Sequence, residues 1–217
     1  MKRSLPRSRL SKLSSFTLVE LLVVIGIIAI LAGVILSAGT NAIRAALRSK
    51  AQNLATQIQT ASLSYYTEYG VYPDDTTTFP AGTDYVIKDT DAADWKNLLI
   101  ALCGNIDPAT GTAVPTPIIA NSRGITFLTL KSSDVTNDAP LNPLPPNAAN
   151  IYFNIAIDND YDGILGVAPS AVLTMPQFSP TFKGTGGGTS TAGIAVWANC
   201  NPAGSTSTNA AYYIRTY

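Results

Sequence analysis

Phe16-Thr17-Leu18-Val19-Glu20-Leu21-Leu22-Val23-Val24-Ile25 opens the stretch that decides the architecture of this chain. One acid stands at the lip of an apolar run. From Leu21 to Ile43 there are 23 residues without a charge. At about 1.5 Å per residue they make roughly 35 Å of helix, enough to cross a bilayer core. Upstream, Lys2, Arg3, Arg7, Arg9 and Lys12 are the only charges in the first fifteen residues. The positive-inside rule therefore keeps residues 1–15 in the cytoplasm and sends the residues beyond the span to the other side.

Three readings of this amino terminus compete. A secretory signal has an apolar region of about 7–15 residues and a small-x-small cleavage site. Ser37-Ala38-Gly39 could serve as that site, but the apolar run is too long. A plain signal anchor accounts for the length and leaves Glu20 unexplained. In the third reading the leader is cut off between Ser15 and Phe16. The new α-amine at Phe16 is a cation one helical turn from Glu20. It neutralises Glu20 of the same chain or of a neighbouring subunit. A carboxylate deep in lipid costs roughly 2–3 kcal/mol, which is why an intramembrane acid calls for a partner. The plainer alternative is that Glu20 reaches back to the headgroups.

Ser14-Ser15-Phe16-Thr17-Leu18-Val19-Glu20-Leu21-Leu22 resembles the prepilin signature of type IV pilins and type II secretion pseudopilins. That family has a basic leader, a small residue, then Phe-Thr-Leu-x-Glu and an unbroken apolar helix. Ser15 departs from the usual Gly before the cut. The resemblance implies cleavage by a membrane aspartic prepilin peptidase, N-methylation of Phe16, and Glu20-guided entry into a filament.

The helical pattern continues past the span. Ile43, Leu47, Ala51, Leu54, Ile58, Ala61 and Tyr65 recur every three or four residues as one apolar stripe. No proline occurs between Arg7 and Pro73. The spacing predicts a helix from Phe16 to about Tyr69, closed by Gly70 and Pro73. Tyr72-Pro73 is similar to the exit of the long helix in major pseudopilins.

Beyond it, Asp91 and Asp94 read as the cap of a short helix with Trp95, Leu98, Leu99 and Leu102 on its apolar face, closed by Gly104. Residues 106–121 read as loop. Strands are expected at 124–130, 151–157, 164–167, 171–175, 193–198 and 211–217. Pro140, Pro143, Pro145 and Pro146 make the segment between Ser132 and Asn150 irregular. A Gly-, Thr- and Ser-rich loop covers 184–193. The expectation is an α+β, pilin-like fold: a long helix, its first half membrane-spanning, packed on a small antiparallel sheet. The domain bounds are a leader at 1–15, a transmembrane and assembly segment at 16–43, the rest of the helix at 44–69, and a globular domain at 70–217.

Outside the leader, nine basic residues face fourteen acidic ones. A mildly acidic body argues against nucleic acid as a partner. The chain has no His, no Gly-x-Ser-x-Gly elbow, no phosphate loop and no metal–thiolate cluster, so an enzyme is not the expectation. Asp158-Asn159-Asp160-Tyr161-Asp162-Gly163 places acids and a glycine as in the first half of a calcium loop. Position 12 of such a loop is Pro169 rather than Glu. Asp158, Asp160 and Asp162 are therefore either weak Ca2+ ligands or a polar turn. Some major pseudopilins carry calcium in a C-terminal loop, as the resemblance implies. Cys103 and Cys200, in an oxidising compartment, either close one long loop as a disulfide or stay separate thiols.

The expected role is a structural filament subunit, most like a type II secretion pseudopilin. Its partners would be the bacterial inner membrane, prepilin peptidase and other pilin-like subunits, with the C-terminal domain in the periplasm or outside the cell. The alternatives are a type IV pilus subunit for adhesion, motility or DNA uptake, and a membrane-anchored binding domain that never polymerises.

Overall fold

The computed structural model describes residues 16–74, 84–88, 91–144, 152–161, 165, 193–200 and 213–216. The chain divides between Ile43 and Arg44 into two units. Helix α1 spans Leu18–Tyr69. Its amino-terminal part makes up the described first unit, and its window Leu18–Ile35 is long and apolar enough to cross a membrane. There the described apolar side chains are exposed within the protein, Leu18, Ile30 and Ile35 among them. A soluble domain does not leave so many large apolar groups unburied on one helix.

In the second unit α1 becomes amphipathic. Ala51, Leu54, Ala55, Ile58, Ala61 and Tyr65 are buried, following the expected stripe. Leu47 is packed at its margin, whereas Ile43 is exposed and lies in the other unit. Gly70, at φ +71°, ends the helix and donates its N–H to Tyr66 O at 2.8 Å.

A four-stranded antiparallel sheet accompanies the helix. Its strands are β1 (Tyr85–Ile87), β6 (Asn154–Ile157), β7 (Ile194–Asn199) and β8 (Tyr213–Arg215), in the order β1-β6-β7-β8. Alternation splits the side chains between two faces. Ile87, Phe153, Ile155, Ile157, Ile194, Val196 and Ile214 join the helix residues in the main core. Val86, Ala156, Ala195 and Trp197 form a second cluster with Leu165. The sheet thus buries apolar side chains on both faces.

Helix α2 (Ala92–Leu102) buries Trp95, Leu98, Leu99 and Leu102, as its spacing predicts. Trp95 donates its indole N–H to Phe153 O at 3.0 Å. Asp91 stands at the N-cap as expected, with its carbonyl accepting from Trp95 N–H at 3.1 Å, but its side chain makes no bond to the helix start: its Oδ2 accepts from Lys88 N–H at 3.2 Å instead. The 106–121 segment is not wholly loop. It contains a short hairpin of β2 (Ile106–Asp107) and β3 (Thr112–Ala113). A second small hairpin pairs β4 (Val135–Thr136) with β5 (Ala139–Pro140).

The strand expected at 124–130 is absent; a single bridge between Thr126 and Cys103 stands there. Its backbone is claimed by other partners. Asn121, 1 % exposed, accepts from Ile125 N–H at 3.0 Å and donates to Ile125 O at 2.8 Å. Leu102 O accepts from both Phe127 and Leu128 N–H, at 2.8 and 2.9 Å. The last carbonyls of α2 need such partners, and this segment supplies them. Apart from Leu165, the strands expected at 164–167 and 171–175 lie outside the described residues, as does most of the 184–193 loop.

Candidate functional site

The first site is the start of α1. Thr17 stands just before the helix and Glu20 at its third position. Glu20 N–H donates to Thr17 Oγ1 at 3.2 Å. Glu20 Oε2 accepts from Thr17 N–H and from the Thr17 hydroxyl, both at 2.8 Å. This is a reciprocal capping box. Glu20 is thus held by Thr17, a residue with no expected capping role. The signal was present as Thr17-x-x-Glu20. Phe16 is exposed directly before the cap. Ser15 and the leader lie outside the described residues.

The second site lies where β6 ends. Tyr85 pairs with Ile157, so Asp84 falls opposite Asp158 as the two strands run on. Carboxylate oxygens of Asp84, Asp158 and Asp160 all lie within 4.8 Å of one another. Oxygens about 2.4 Å from a central ion can be at most twice that distance apart, so this donor set fits a hard cation. Asp158 is buried and Asp160 exposed. Asp162 lies outside the described residues. Asp84 is the ligand candidate that sequence reasoning missed. It sits more than seventy residues upstream, and only strand register brings it in.

Aromatic rings brace this loop. Tyr161 adopts φ +58°, an uncommon conformation for a bulky residue. Its ring stacks on Tyr72 with centroids 5.4 Å apart, and its hydroxyl accepts from Tyr72 N–H at 3.1 Å. Tyr66 stacks on Tyr72 from 4.5 Å. Burial, with the charge of Asp158 nearby, raises the Tyr72 hydroxyl above its ordinary value of 10.0. Gly193 makes room for that ring: a Cβ there would collide with the Tyr72 hydroxyl.

Of the two readings of the cysteines, the structure holds the separate thiols. Cys103 and Cys200 are both free and buried. Cys103 follows α2 and bridges to Thr126 through its backbone. Cys200 follows β7, where its thiol donates to Ala198 O at 3.8 Å and accepts from Asn142 Nδ2 at 3.9 Å. Burial pushes each thiol up to about 11, so both are protonated at neutral pH.

Comparison with known proteins bears on the first site. Residues 11–36 match the family model described as the prokaryotic N-terminal methylation motif. No curated protein and no solved structure matches the chain. An apolar helix long enough to span a membrane and an α+β domain with a small antiparallel sheet define a pilin-like fold. At its amino terminus the chain carries the signature of type IV pilin-like proteins.

Proposed function

We propose that this chain is the structural subunit of a pilin-like filament, most like a type II secretion pseudopilin, and has no catalytic role. The observation that carries the proposal is the methylation motif at residues 11–36 overlying a capped helix start at Thr17–Glu20. The leader stays in the cytoplasm, and α1 anchors the subunit in the bacterial inner membrane by a single pass. The domain beyond residue 43 lies in the periplasm or outside the cell.

Prepilin peptidase cuts between Ser15 and Phe16, and the new amine of Phe16 is methylated. A methylated amine keeps its positive charge. It appears one residue before the cap and one turn from Glu20. Thr17 has already fixed the Glu20 carboxylate at the helix start, so a cation there meets a preorganised anion. The same carboxylate offers the amine of a neighbouring subunit a partner inside lipid, where an unpaired charge is unfavourable. Entry into the filament exchanges one partner for another without leaving Glu20 bare.

Glu20→Val is the test. The variant is expected to insert in the membrane at wild-type level and to yield no filaments. Wild-type-like filaments from it would refute the assembly role. Deletion of the gene is expected to block export of a folded secreted protein. Loss of surface pili with secretion intact would replace the secretion reading by a type IV pilus.

We also assign Asp84, Asp158 and Asp160, with Asp162 as a further candidate from the sequence, to a weak site for a calcium-class cation. The donor set supports this reading: oxygen-only, anionic and convergent. A bound cation would neutralise the carboxylates and tie the end of β6 to the residue before β1.

A further inference from the structure

We infer that Arg44 and Arg48 form a phosphate-binding site that takes the headgroup of an anionic phospholipid. The inference rests on the membrane reading above and extends it to the far side of the span. Arg44 is the first charged residue after Glu20 and comes directly after Ile43, the last residue of the uncharged run. Charges at the edge of an apolar span sit at headgroup depth, where long basic side chains are stable. Arg44 and Arg48 are one helical turn apart, so they share a face of α1. Both are exposed.

They also share a concavity. Arg44, Ala45, Arg48, Leu144 and Cys200 line a cavity of about 220 Å³. No acid is among them. Three basic side chains of this unit form ion pairs: Lys50 with Asp134, Lys96 with Asp107 and Asp138, Arg123 with Glu68. Among the described residues Arg44 forms no ion pair. Guanidinium groups suit phosphate because their planar fork gives paired, directed N–H donors. The apolar lining of Leu144, Ala45 and the protonated Cys200 suits the glycerol and upper acyl part of a lipid more than a hydrated inorganic ion. A subunit leaving the bilayer for a filament would have to give up this contact, so its release becomes sensitive to lipid charge and salt.

The test uses the full-length chain in nanodiscs of dioleoylphosphatidylcholine, with and without dioleoylphosphatidylglycerol. Native mass spectrometry counts the lipids retained. The wild type is expected to keep phosphatidylglycerol over phosphatidylcholine by roughly tenfold to thirtyfold. R44Q/R48Q is expected to lose the preference while still folding and entering both nanodiscs. R44K/R48K should recover part of it, and K131Q, outside the cavity, should leave it intact. Equal retention of the two lipids by the wild type, or an unchanged preference in R44Q/R48Q, overturns the site. A melting shift with sn-glycerol 1-phosphate in detergent, without lipid preference in nanodiscs, overturns the lipid as ligand in favour of soluble phosphate. Failure of the wild type to enter either nanodisc overturns the membrane reading first, and the headgroup site with it.

Discussion

Asn121 carries more of the second unit than its size suggests. Its Oδ1 accepts from the Tyr69 hydroxyl at 2.6 Å and from Ile125 N–H, while its Nδ2 donates to Ala101 O at 2.7 Å and to Ile125 O. One side chain joins α1, α2 and the segment that would otherwise be a strand. Asn121→Ala takes that partner from groups that are buried or half-buried. Its expected penalty is about 2–4 kcal/mol in chemical denaturation, since each buried group left unsatisfied costs about 1–3 kcal/mol. A penalty below about 0.5 kcal/mol would mean water replaces the amide. The cysteines give a second residue-scale prediction. With both thiols raised to about 11, native protein at neutral pH should alkylate very slowly, and faster as the pH rises toward that value. Denatured, non-reduced protein should titrate two thiols. None would restore the disulfide.

Among the elements, those that hold their own information locally were legible. The stripe from Ala51 to Tyr65 and the Gly70 stop gave α1, because every third or fourth residue had to face one core. β6 was legible from Ile155 and Ile157, although the strand is shorter than 151–157. Residues 124–130 look like a strand from their alternation, yet partners elsewhere in the chain capture their amides. The reverse happened at Tyr85-Val86-Ile87, too short to be conspicuous and ordered by pairing with β6. Asp84 therefore could not be placed with Asp158 from sequence: strand register is a non-local fact. Addition of about 10 mM Ca2+ to a site with Kd of about 1 mM should stabilise the protein by about 1.4 kcal/mol. Asp84→Asn should abolish the resulting melting shift as completely as Asp158→Asn does. A full calcium response in Asp84→Asn would return the site to the 158–162 loop alone.

For the whole molecule, the sequence was most readable where physics leaves least choice. A bilayer demands a long uncharged helix, and an acid at its lip demands a partner. Those two requirements point to residues 16–43 without any knowledge of the fold, and the motif match falls on the same stretch. Thr17 was read only as part of the signature and not as a cap, although Thr17-x-x-Glu20 is a readable capping pattern. The globular part was less legible because its short strands and hairpins draw their order from one another rather than from their own spacing. The central claim is that the chain is processed between Ser15 and Phe16. Intact mass and amino-terminal sequencing of the protein from native membranes test this most directly. A mature chain that begins at N-methylated Phe16 is the expected result. A chain that still begins at Met1, or one that begins near Gly39 or Thr40, would contradict it.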